Sequence, residues 1–114
     1  MIYLKAVSLR VEKADLALDR RSRWGNPFRV GVGWTVDQVI DAFAGHFQNE
    51  PWQMHLHLCA LNKEIRKRAQ AHHISGEQTF TLGCWCKPAR CHVDVWIDKL
   101  LEAYPHTFGR KEIR

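Results

Sequence analysis

The chain has no apolar run long enough to cross a membrane. Its opening stretch, MIYLKAVSLRVEK, meets Lys5 and Arg10 too early to hold the apolar centre and cleavage site of a secretory leader. Repeats, low-complexity blocks and composition shifts of the kind that mark linkers are missing as well. Acidic residues are in short supply, 12 against 17 Lys and Arg, which leaves a net charge of +5 and a pI near 9.3. These absences disfavour membrane and secreted classes and lead to the expectation of a cytoplasmic protein. Thiols stay reduced there, so the four cysteines point to metal binding or thiol chemistry before a disulfide framework. The positive balance favours anionic partners such as nucleotides, nucleic acid or phosphate esters, against the plainer reading of a solvated basic surface.

What is present fits one domain, since 114 residues can bury a core without a metal or disulfide staple. Ile2 to Leu9 alternates and is rich in β-branched and aromatic residues, which predicts a first strand. Between Val11 and Gly33 the periodicity disappears into a long loop with turn residues and arginines, and a short hidden strand is expected around Arg29 to Val32. Thr35 followed by Gln38 fits a capping box, and Val36, Val39, Ile40, Phe43 and Phe47 recur at helical spacing. A second helix is predicted from Trp52 to about Ala71, with Met54, Leu58, Leu61 and Ile65 inward and Lys63, Arg66, Lys67 and Arg68 toward solvent. Cys59 on that helix reads as a buried residue. His55 and His57 cannot share a helical face and make a poor chelating pair, and His72 and His73 at its end read as surface residues. His46, beside the apolar stripe of the first helix, reads more as an edge residue than as part of a site. A strand over Thr79 to Trp85 and a third helix marked by Val93, Trp96, Ile97, Leu100, Leu101 and Tyr104, ended by Pro105, complete the order. The expected fold is a small, single-domain, Rossmann-like α/β sheet of parallel strands flanked by about three helices over residues 1–105, followed by a basic tail over 106–114 of the kind that stays disordered.

Three of the cysteines fall within CWCKPARCH, residues 84 to 92. On a strand, side chains alternate, so Cys84 and Cys86 share a face and Trp85 looks away. Pro88 breaks the strand and the turn delivers Cys91 and His92 to a helix start, where the macrodipole and the cations Lys87 and Arg90 favour a thiolate at Cys91. The carboxyl end of a strand feeding a helix is where open α/β sheets bind ligands. Three readings follow: Cys84, Cys86, Cys91 and His92 bind zinc, or less readily iron; Cys91 is a nucleophile or redox thiol with His92 as its base or orienting group; or the cysteines are small hydrophobes at a strand end. The paired knuckles usual in structural zinc sites are absent, as is the H-x-E ahead of P-C-x-x-C that marks zinc deaminases.

RRSRWGNPF is the second unusual stretch. Arg20, Arg21 and Arg23 can fork onto phosphate, Trp24 offers a stacking face, Gly25 permits close backbone approach and Asn26, held extended ahead of Pro27, presents its amide. The alternative is a packing loop in which Trp24 and Phe28 plug the core. Together RRSRWGNPF and GCWCKPARCHVDV resemble an uncharacterised domain family common in phages and bacteria, over about Arg20 to Leu101. The resemblance implies that the two motifs belong to one pattern and that the two ends of the chain meet; the chain departs from the family in a longer, more basic helix from Trp52.

The functional expectation is an enzyme, a hydrolase or transferase, that binds a nucleotide, nucleoside or nucleic-acid end through Arg20, Arg23, Trp24, Gly25, Asn26 and Arg90. Cys91 and His92 would act on it through a free or metal-bound thiolate. The alternative is a non-catalytic, zinc-stabilised module that binds nucleic acid or a host protein, such as a phage-encoded inhibitor. No membrane partner is expected.

Overall fold

The computed structural model describes residues 1–19, 22–27, 33–71, 78–85 and 91–110. Strand β1 (Ile2–Ser8) lies inside the sheet, paired on one side with β3 (Gln78–Cys84) and on the other with β4 (Phe108–Arg110). The two-residue β2 (Leu16–Ala17) adds to the far side of β3, giving the order β2-β3-β1-β4 with every pairing parallel. Register runs from Ile2 opposite Gln78 to Ser8 opposite Cys84. This is the expected parallel α/β sheet with three helices.

Alternation along the strands sorts the two faces. Leu4, Phe80, Leu82 and Cys84 enter one core with buried residues of all three helices: Phe43 of α1 (Val36–Asn49), Leu61 and Ile65 of α2 (Pro51–Ala71), and Val93, Trp96, Ile97 and Leu100 of α3 (His92–Ala103). The capping box at α1 forms as expected: the Thr35 hydroxyl accepts from the Gln38 amide and the Gln38 side chain accepts from the Thr35 N–H. Pro51 opens α2, at the helix position where its missing N–H costs nothing. Asn62, on α2, is buried and its Oδ1 has no hydrogen-bond partner among the described residues.

The opposite face explains Gly83. A Cβ placed there would lie 2.6 Å from both the Ala14 Cβ and the Leu9 Cδ2. The link from β1 to β2 therefore crosses β3 directly over this glycine, and it can be short because β2 pairs only at the level of Leu82 and Gly83. α3, which follows β3 in the chain, packs on the core side. The β1–β2 link and α3 thus lie on opposite faces beyond neighbouring strands β1 and β3, the arrangement at which open α/β sheets bind their ligands.

One expectation changes. The tail does not become irregular at His106: Thr107 and Phe108 amides both donate to the Tyr104 carbonyl, the Ile2 amide donates to the Thr107 carbonyl, and Phe108 is buried in β4. Arg110 then pairs with Asp98 of α3. The extra strands are β2 and β4, while the strand expected at Arg29 to Val32 lies outside the described residues, as do His72, His73 and residues 111–114. No helix of the described residues is long and apolar enough to cross a membrane.

Candidate functional site

The carboxyl edge of the sheet gathers the described parts of the chain's unusual motifs. Cys84 ends β3 on the core face, 1% exposed, whereas Trp85 beyond it is 48% exposed, the alternation that the sequence predicts. Cys91 occupies the N-cap of α3 with extended dihedrals (φ −140°, ψ 148°) and makes no side-chain capping bond. Its sulfur is instead joined to that of Cys84, with Cα atoms 7.3 Å apart.

His92 follows at the first helical position and is itself buried. Its Nε2 lies 2.5 Å from the Leu18 carbonyl oxygen. A carbonyl can only accept, so Nε2 carries the hydrogen, and the neutral ring keeps its lone pair on Nδ1. That Nδ1 lies 3.6 Å from the Cys91 sulfur. Phe43 meets the ring edge to face at 5.6 Å and fixes its plane. One backbone carbonyl therefore selects the tautomer that turns the Nδ1 lone pair toward the Cys91 sulfur, the same outer contact that orients histidine ligands of metals.

Asp19 is the residue that sequence reasoning missed. It is buried beside Leu18, its Oδ2 accepts from the Trp85 indole at 3.4 Å, and its carbonyl accepts from both the amide and the hydroxyl of Ser22. The signal was the run LALD, in which Leu16 and Leu18 share one strand face and an acid follows at the strand end.

The Arg/Trp loop does meet this edge, with its aromatic ring turned inward. Trp24 is 9% exposed; its indole donates to the His57 carbonyl at 2.9 Å, and its own carbonyl accepts from the buried Trp96 indole at 2.8 Å. The expected stacking face is thus a core surface. Asn26 is also buried, and its Nδ2 donates to the Val39 carbonyl at 3.3 Å, so the amide expected at the surface ties the loop to α1. Gly25 is half-buried and its amide donates to the Ser22 carbonyl. Arg23 stays exposed. Its Nε donates to His57 Nδ1 at 3.1 Å, and its guanidinium lies 6.0 Å from the Trp24 ring centre. Burial and then the Arg23 charge hold His57 below the ordinary histidine range. Arg20, Cys86, Pro88 and Arg90 fall outside the described residues.

The fourth cysteine is separate from this centre. Cys59 is half-buried on α2, with His55 Nε2 at 3.5 Å one turn back and the Tyr104 hydroxyl donating at 3.7 Å. Burial, and then Cys59, push the Tyr104 phenol above its usual range. His55 and His57 turn to different partners, as their spacing requires, and His46 sits in the last turn of α1.

With Cys84 and Cys91 joined, no group of three or more His, Cys, Asp and Glu among the described residues is set to hold a metal ion. No curated protein and no solved structure matched the chain. One family model does match, over residues 3–102. That span takes in β1, the Arg/Trp loop, the whole cysteine cluster and nearly all of α3, and on it the chain belongs to the family described as a domain of unknown function, DUF4326.

Proposed function

We propose that the protein is a hydrolase or transferase that acts on a nucleotide, nucleoside or nucleic-acid end at the carboxyl edge of the sheet. In a reducing cytoplasm Cys84, Cys91 and His92, with Cys86, would hold zinc there. The observation that carries this reading is the His92 ring, pinned through Nε2 to the Leu18 carbonyl with Nδ1 toward the Cys91 sulfur. The 3.6 Å between them is close to the roughly 3.5 Å that separates a sulfur and a nitrogen on one tetrahedral zinc. The 7.3 Å between the Cα atoms of Cys84 and Cys91 is wider than the approximately 4.4–6.8 Å usual for disulfides, and suits two thiolates that share an ion. Zinc bound in this way would supply Lewis acidity or an activated water. On the substrate side, Arg23 is the exposed cation among the described residues of the loop, and Arg20 and Arg90 are the sequence's further candidates for a phosphate.

The test uses protein purified without an affinity tag under reducing conditions. One zinc per chain with three thiols shielded until a chelator is added is the expected result, together with turnover of a nucleotide or oligonucleotide end that Cys91→Ser abolishes. Absence of metal with rapid alkylation of Cys91 would sink the zinc centre, and full activity of Cys91→Ser would sink the catalytic role. A second reading, a zinc-stabilised module without catalysis, draws on the burial of Cys91, 0% exposed, and Cys84, 1% exposed. It predicts that chelation unfolds the protein and that no substrate is turned over.

A further inference from the structure

The solvent face of α2 carries features that neither the core nor the Cys/His centre uses. Placed at about 100° per residue, Trp52, Leu56, Lys63, Arg66, Lys67 and Gln70 fall within about 100° of arc, a single stripe along the helix. All six are exposed, Trp52 at 79% and Leu56 at 62%. The stripe is divided along its length. Its amino-terminal part is aromatic and apolar, with Trp52 edge to face with His55 at 6.4 Å; its carboxyl-terminal part is cationic.

The helix has one acid, Glu64, and that carboxylate is taken by Arg68 at 2.7 Å. Arg68 also donates to the Asp15 carbonyl at 3.0 Å, so it braces the β1–β2 link. Lys63, Arg66 and Lys67, by contrast, make no ion pair with any described residue. Three cations within about one helical turn, without an ion pair of their own beyond the field of the Arg68-bound Glu64 on Lys67 and in line with an exposed indole, repel one another and expose apolar surface. A ligand with both anionic charge and flat aromatic groups relieves both.

We infer that this stripe is a track for single-stranded nucleic acid, with phosphates on Lys63, Arg66 and Lys67 and a base stacked on Trp52. From Trp52 to Lys67 the track runs about 22 Å along the axis, long enough for several nucleotides. A single strand is favoured over a duplex because its bases are free to stack on an exposed ring, whereas a duplex presents only phosphates and groove edges. The inference rests on the nucleic-acid form of the proposed substrate and gives that substrate a second surface to hold it.

The test is binding of a fluorescent single-stranded oligonucleotide to the full chain, measured against salt. Three phosphate contacts predict a slope of log affinity against log salt near −2, from roughly −0.7 per contact on single strands. The variant carrying Lys63→Gln, Arg66→Gln and Lys67→Gln should flatten that slope toward zero, and Trp52→Ala should weaken binding roughly 5- to 100-fold, as loss of one stacked base does. Every substituted residue is exposed, and an unchanged circular dichroism spectrum and unfolding midpoint show that a variant is folded. The inference is overturned if duplex and single strand bind alike with no effect of Trp52→Ala. It is also overturned if phosphatidylserine vesicles are bound while oligonucleotides are not, or if the triple variant keeps its slope. Oligonucleotide binding that persists in a protein without turnover supports the track and removes only the catalytic proposal.

Discussion

The carboxyl edge of the sheet and the outer face of α2 hold similar residues in opposite conditions. At the edge, the indole N–H groups of Trp24, Trp96 and Trp85 and the Nε2 of His92 are engaged within the protein: Trp24 on His57, Trp96 on Trp24, Trp85 on Asp19, and His92 on Leu18. On α2, Trp52 and three cations stand in solvent, without ion pairs among the described residues. A tryptophan beside arginines is therefore no guide to a binding face until its burial is known. The loop motif spends its aromatic ring on structure, and the helix with the less distinctive sequence leaves its own ring open.

That contrast can be broken at its strongest point first. Trp24→Ala should cost about 3–5 kcal/mol, the range for a large core aromatic, because it empties a buried site and removes the indole donor to the His57 carbonyl; chemical denaturation reads it directly. A loss below 1 kcal/mol would return Trp24 to the surface role and dissolve the comparison. Gly83→Ala is next. The new methyl would press on Ala14 and Leu9, and overpacking of this kind costs about 1–3 kcal/mol. A neutral result would mean that the β1–β2 link does not cross β3 at that point.

Asn62→Leu should move stability the other way. It removes a buried oxygen with no partner among the described residues, and relief of such a group is worth about 1 kcal/mol; a destabilised variant would show that Asn62 is partnered. The fourth effect is smaller and depends on pH. His57 is held below its ordinary pKa by burial and by Arg23, so the unfolded chain binds its proton more readily than the native one. Its contribution is complete above the unfolded value of about 6.5 and is lost as pH falls through the lower native value. The unfolding midpoint should fall more between pH 7.5 and 5.5 in the parent than in His57→Gln, and equal falls would refute the Arg23–His57 latch. Smallest of all, Trp52→Ala should leave the midpoint unchanged to within about 0.5 kcal/mol, which separates it from Trp24 by an order of magnitude.

The helices and the two longer strands were legible because their signals are local. The Thr35–Gln38 box and the stripes of α1, α2 and α3 each repeat within a few residues, and Cys84 and Trp85 alternate as a strand demands. β2 and β4 were not legible. Two residues cannot show a period, and Phe108–Arg110 is a strand only because β1 lies beside it, more than a hundred residues away in the chain. The candidate site divides in the same way. The cluster of donors was visible in CWCKPARCH, but the carbonyl that sets the His92 tautomer comes from Leu18, 74 residues distant. Whether Trp24 packs or stacks depended on where α2 lay, which no property of RRSRWGNPF records.

The position of β1 has a consequence for how the chain comes to be folded. It is made before both of its partners, β3 and β4, which are synthesised after the two long helices. At ribosomal rates of about 5–20 residues per second, β1 waits several seconds with both hydrogen-bonding edges bare. Only when Phe108 arrives is its second edge closed. Closure of β1 therefore waits on β4, and a ribosome stalled short of Phe108 would hold a nascent protein with an open, apolar edge that others can join.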